Sequence, residues 1–124
     1  MTLMKWDPIV AEVDPDWTPV VDVVEDADEI LIRAELPGLE MKDVAVTTDD
    51  CVLTITGDRN LEREMDTENM HFMECSYGTF RRSFRLPTLV DVSSIRAEFK
   101  NGLLTVTLPK KEITKPHDIE VKRA

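Results

Sequence analysis

The chain has 124 residues, 25 acidic and 15 basic, for a formal charge of −10 at pH 7. That balance argues against nucleic acid, where clustered Lys and Arg supply most of the affinity, and against an anionic membrane surface. The length suits one domain with short extensions, and Cys51 and Cys75 make at most one bridge, so reduced thiols in a cytoplasmic protein are expected.

Residues 1–16 read as an arm. No apolar run of signal-peptide length follows Lys5, and no stretch approaches the ~20 apolar residues of a membrane span. Pro8 and Pro15 bracket Ile9, Val10 and Val13, which can share one side of a short helical turn. A turn or two is too short to be stable alone. Trp6 with Ile9, Val10 and Val13 is either a frayed end or an apolar surface for other chains.

From Trp17 the pattern is that of short strands. Trp17-Thr18-Pro19-Val20-Val21-Asp22-Val23 is an entry strand, and Glu25-Asp26-Asp28-Glu29 follows as an acidic turn. Ile30, Ile32, Ala34 and Leu36 then alternate with Leu31, Arg33 and Glu35 until Pro37-Gly38 stops the run. Asp43 to Thr48 is a strand with Val44 and Val46 on one face, Asp49-Asp50 turns the chain, and Cys51 to Thr56 pairs back until Gly57 closes it. Asp58 to Tyr77 is one long irregular stretch, charged in its first half, with Met70, Phe72 and Met73 in a short extended run. A structureless loop of about twenty residues is anomalous in a compact domain. It is either a solvated surface loop or a strand for another subunit's sheet edge.

Gly78 to Pro87 puts Phe80, Arg82, Phe84 and Leu86 on one face, so Arg82 interrupts an apolar row and calls for a carboxylate partner, while Arg81 and Arg85 face solvent. Asn101-Gly102 then joins two alternating runs, Ile95 to Lys100 and Leu103 to Pro109, as a two-residue hairpin turn with positive φ at both positions. Residues 110–124 form a polar, proline-punctuated tether that ends in Ile119-Glu120-Val121. With no run of clear helical spacing, the expected fold is an all-β, antiparallel immunoglobulin-like β-sandwich over residues 17–109.

These runs carry a resemblance. Ala97-Glu98-Phe99-Lys100-Asn101-Gly102-Leu103-Leu104 is similar to the A-x-x-x-N-G-(V/L)-L signature of the small heat-shock proteins, the α-crystallin-domain family. Trp17 to Asp22 resembles that family's W-x-P-x-x-D, Ala34 to Gly38 its A-(D/E)-L-P-G, and Gly78 to Pro87 its G-x-F-x-R-x-F-x-L-P. Lys5 to Ile9 resembles the W-D-P-F arm, with Ile9 in place of Phe, and Ile119-Glu120-Val121 resembles the I-x-(I/V) tail. The resemblance implies a dimer in which the loop around Met70, Phe72 and Met73 is swapped between subunits, with Arg82 near that interface. It also implies a higher homo-oligomer in which the tail residues Ile119 and Val121 enter a neighbour's groove, walled here by Val44, Val46, Ile95 and Ala97. The short arm is a departure that bears on assembly size.

No catalytic, metal or nucleotide motif is present. The glycines Gly38, Gly57, Gly78 and Gly102 are isolated, His71 and His117 lack ligand spacing, and the cysteines form no C-x-x-C. An enzyme is therefore not expected, nor any cofactor or metal. The family resemblance implies an ATP-independent holdase for partly unfolded clients, with Trp6, Ile9, Val10 and Val13 as the client-binding candidates. The alternatives are an adaptor sandwich for one defined partner and a purely structural assembly module.

Overall fold

The computed structural model describes residues 6–11, 16–60, 70–112 and 118–124. Seven strands lie among them: β1 (Val21–Glu25), β2 (Glu29–Glu35), β3 (Val44–Asp49), β4 (Val52–Arg59), β5 (Gly78–Arg85), β6 (Arg96–Lys100) and β7 (Leu103–Pro109). They form two antiparallel sheets with strand orders β1-β2-β7-β6 and β3-β4-β5. The described residues contain no α-helix, only short 3-10 turns at Met41–Asp43 and Val92–Ser94. The expected all-β sandwich is the fold observed.

Alternation places the core. Ile30, Ile32 and Ala34 of β2 pair with Leu108, Val106 and Leu104 of β7, and all six are buried. On the other sheet Leu53 pairs with Phe84, and Gly57 pairs with Phe80. These apolar rows face inward, with Leu36, Leu86 and Val90 closing the ends. Burying a Leu, Ile or Phe stabilises by roughly 1.5–3 kcal/mol, so these rows dominate the fold's energetics.

Two turns set the registers. Asn101 and Gly102 both have positive φ, 54° and 75°, as a type I′ hairpin turn requires. The β3–β4 turn uses the same left-handed geometry at Asp50 and Cys51, φ 49° and 64°, without a glycine. It therefore sits one residue later than expected, and β4 begins at Val52 rather than Cys51. The Cys51 carbonyl accepts the Leu86 N–H at 2.7 Å, which ties this strained turn to the end of β5.

Other boundaries also depart from expectation. Gly57 does not close β4, which runs on to Arg59 because Asp58 and Arg59 still pair with Thr79 and Gly78 of β5. A glycine is needed at position 57 for packing, since a Cβ there would lie 2.4 Å from the Phe80 ring. β1 starts at Val21 rather than Trp17. Trp17 instead reaches across to the second sheet, where its Nε1–H donates to the Gly78 carbonyl at 2.8 Å and its ring meets Phe80 edge-on at 4.9 Å. The long irregular stretch accordingly begins at Asn60.

The segment leading into β1 is bonded along β5: Asp16 N–H donates to the Thr79 carbonyl and Arg82 Nη1 to the Pro19 carbonyl. This stacks β5 on the β1 side of the sandwich. The strand orders then leave β3 and β6 as the two free edges on the opposite side.

Candidate functional site

Among the described residues the features available for recognition are sheet edges and the apolar segments that leave the sandwich. Among the described residues no group of His, Cys, Asp and Glu is arranged to hold a metal ion, and no helix is long and apolar enough to cross a membrane.

On the β3–β6 side, Val44 and Val46 of β3 and Ile95 before β6 are half-buried and packed against the core. Ala97 stands opposite buried Val106, so it belongs to the inward row of β6, yet it is exposed. Phe99, on the same row, is half-buried. An inward position that remains open marks an incompletely covered seam beside two unpaired backbones. Residues spaced two apart on an extended segment point the same way, so such a segment can offer two side chains to the seam while its backbone pairs with an edge. Ile119 and Val121 have that spacing and are 86% and 94% exposed.

The tail's root is firmly held. Lys110 Nζ lies 2.9 Å from the Glu25 carboxylate and donates to the Asp26 carbonyl at 2.6 Å. Lys110 N–H donates to the Asp28 carbonyl and Lys111 N–H to the Leu89 carbonyl. The tether expected from Lys110 is thus pinned through Lys111 to the β1–β2 turn and the segment after β5. Residues 113–117, including His117, lie outside the described residues.

Among the loop residues, Phe72 is 77% exposed, Met73 is exposed and Met70 is half-buried, and they form no strand within the single chain. Residues 61–69 lie outside the described residues. Where the loop returns, Arg59 anchors it. Its guanidinium lies 4.1 Å over the Trp17 ring and 5.5 Å from the Tyr77 ring. Nε donates to the Ser76 carbonyl at 2.9 Å, Nη2 donates to the same carbonyl, and Nη1 donates to Pro37 O at 3.2 Å. In the sequence Arg59 belongs to the charged half of the long irregular stretch. Its one signal there is its position two residues past Gly57, at the end of a strand that runs on to Arg59.

Arg82 faces the inward row opposite Ile55, half-buried, as its alternation requires. The expected carboxylate is not what satisfies it among the described residues. Nη1 donates to the Pro19 carbonyl at 2.9 Å, and the guanidinium lies 5.5 Å from the Phe84 ring. A planar guanidinium carries five N–H donors, so donors remain for a further acceptor.

The arm is neither frayed nor helical where it is described. Ile9 forms an antiparallel bridge with Phe84; Val10 N–H donates to the Ser83 carbonyl at 3.3 Å, and Arg85 N–H to the Pro8 carbonyl at 2.9 Å. Trp6, half-buried, donates through Nε1 to the Arg85 carbonyl at 3.0 Å. Arg85, expected in solvent, donates through Nη1 to the Ile9 carbonyl at 2.7 Å. An extended backbone won because β5 offers a row of unpaired groups that a helical turn cannot satisfy. Val13 lies outside the described residues.

Three carboxylates hold joints between these parts, each kept below the ordinary carboxylate pKa by the hydrogen bonds it accepts. Asp16 is lowered by the Thr79 N–H and then its hydroxyl, and Asp26 by the N–H groups of Asp28 and Glu29. Asp91, which caps the turn at Val92–Ser94, is lowered first by the Ser93 and Ser94 hydroxyls.

The model for the Hsp20/alpha crystallin family matches residues 22–122. Spore protein SP21 of Stigmatella aurantiaca is 35% identical over 96% of the chain and 76% of that protein. Small heat shock protein C2 of Rickettsia felis is 36% identical over 93% of the chain and 75% of its own length. Among solved structures, the small heat-shock protein of Xylella fastidiosa, described as having a distinct high order structure, superposes with a TM-score of 0.75. It is 35% identical and covers 87% of this chain and 99% of that one. The adaptor and structural-module alternatives are not favoured by these similarities.

Proposed function

The chain belongs to the Hsp20/alpha crystallin family of small heat-shock chaperones, and from that premise we propose that it is an ATP-independent holdase that binds partly unfolded proteins and limits their aggregation. Unfolding proteins present apolar segments and unpaired strand edges, and open edges with uncovered apolar rows are complementary to both. One observation carries the reading: among the described residues the sandwich leaves β1, β3 and β6 as unpaired edges while Phe72, Ile119 and Val121 stay exposed.

The same surfaces support self-assembly. In the proposed dimer, Met70, Phe72 and Met73 add to the free β1 edge of a partner, and Arg82 beside Pro19 gives its spare donors to that interface. In the proposed oligomer, Ile119 and Val121 of one dimer enter the seam of Val44, Val46, Ile95 and Ala97 on another. Two such side chains stabilise by roughly 1.5–3 kcal/mol each before ordering costs, so one tail binds weakly and several act together. The apolar arm residues Trp6, Ile9, Val10 and Val13 are candidates for client contact, and the proposed compartment is the cytoplasm.

An aggregation assay by light scattering with two unrelated heat-unfolded clients, without nucleotide, tests the reading. Suppression of both is expected. Protection of neither, at equimolar chaperone, would sink it.

A further inference from the structure

The β5 edge is built as a strand acceptor and is occupied by the chain's own arm. The pairing groups on β5 are the Ser83 carbonyl and the Arg85 N–H, which flank Phe84: the carbonyl accepts from the Val10 N–H and the N–H donates to the Pro8 carbonyl, while Ile9 stands opposite Phe84. On the outward side of the arm both backbone groups of Ile9 are taken: its N–H donates to Asp7 Oδ1 at 3.0 Å, and its carbonyl accepts from Arg85 Nη1 at 2.7 Å. The arm therefore ends the sheet without offering a new edge, as an edge-capping segment should.

The cap is held over a short span only. It makes one bridge, against an eight-residue ladder between β4 and β5; Pro8 is buried and Trp6 packs half-buried against the core, but Ile9 remains 46% exposed. A segment paired at one bridge opens before the ladder beside it does. We propose that the β5 edge is a client-binding surface for an extended apolar segment of an unfolding protein, and that residues 6–11 are a displaceable cover that mimics such a segment. The occupant's chemistry follows from what sits there. It is an extended backbone with a carbonyl and an N–H two residues apart, a β-branched residue between them opposite Phe84, and a carbonyl within reach of the Arg85 guanidinium. The identity of the occupant rests on the holdase reading; the existence of a displaceable cover does not.

The test uses the full chain. Val10→Pro removes the N–H given to Ser83 and leaves the sandwich untouched, and a thermal melt within a few degrees of wild type certifies the fold. The probe is a fluorescein-labelled peptide of residues 4–13, followed by anisotropy. Val10→Pro is expected to bind it at least about tenfold more tightly than wild type, whose edge is filled. The same variant should hold dithiothreitol-reduced insulin in solution at a lower chaperone concentration, with its native mass unchanged. Equal peptide affinity in the two proteins overturns the cover. A fall in native mass also overturns it, because the arm would then be exchanged between copies. The triple variant Trp6→Ser, Ile9→Ser, Val10→Pro separates edge from arm: retained or increased insulin protection supports the edge, and lost protection makes the arm itself the binding element. If wild type fails to protect insulin, the holdase reading fails, while the peptide measurement still decides whether β5 is a covered acceptor.

Discussion

The Arg59 guanidinium lies 4.1 Å over the Trp17 ring. It joins the end of β4 to the segment that enters β1, and its donors hold the returning loop at Ser76. A stacked cation contributes roughly 0.5–2 kcal/mol, and hydrogen bonds from a charged donor about 1.5–3 each, so the cluster matters more than a surface arginine ordinarily does.

Arg59→Met should therefore destabilise the protein by about 2–3 kcal/mol, read as a lowered urea midpoint at unchanged slope. Arg59→Lys keeps a charge over the ring but loses the planar fork, and should fall between. A loss below roughly 0.5 kcal/mol for the methionine variant would show the cluster to be incidental.

Replacing residues 60–75 with a short glycine-containing turn removes Met70, Phe72 and Met73 while keeping Arg59 and Ser76. Sedimentation velocity should then report monomers with a native β circular dichroism spectrum. Dimers that persist in this variant point to an interface other than the loop.

Ile119 and Val121 are almost fully exposed in the single chain, so Ile119→Ala with Val121→Ala should leave the melting temperature of the sandwich unchanged. Particle mass in light scattering should shift towards dimers. An unchanged mass excludes tail docking as the force that holds the assembly.

Asp16, Asp26 and Asp91 are held below the ordinary carboxylate pKa in the folded protein. A carboxylate depressed by folding contributes stability that is present above its unfolded value of roughly 3.9 and is lost as pH falls through its folded value. These groups therefore leave the melting temperature flat from pH 8 to pH 5 and lower it below about pH 4. The triple Asp→Asn variant should show a smaller difference in melting temperature between pH 7 and pH 3. Equal differences would show that the three joints carry no pH-linked stability.

The strands, their faces and the Asn101-Gly102 turn were legible in the sequence because each is a local property. Period-2 alternation assigns Ile30, Ile32 and Ala34 to one face whatever lies opposite, and positive φ at two successive positions favours Asn-Gly. Tertiary structure decided the rest. Gly57 read as a strand end, but its missing side chain makes room for Phe80, a residue on another strand. Arg82 called for a carboxylate and found the carbonyl of Pro19, sixty-three positions away. The arm read as a frayed end or an unstable helical turn, and Lys110 as the start of a semi-flexible tether. Each instead meets backbone groups presented by distant strands, at Ser83 to Arg85 and at Asp26 to Asp28. Side-chain patterning encodes which face of a strand is buried. It says little about which unpaired N–H and C=O groups an edge will expose, because every residue but proline carries the same pair, and only the folded sheet order leaves some of them without partners.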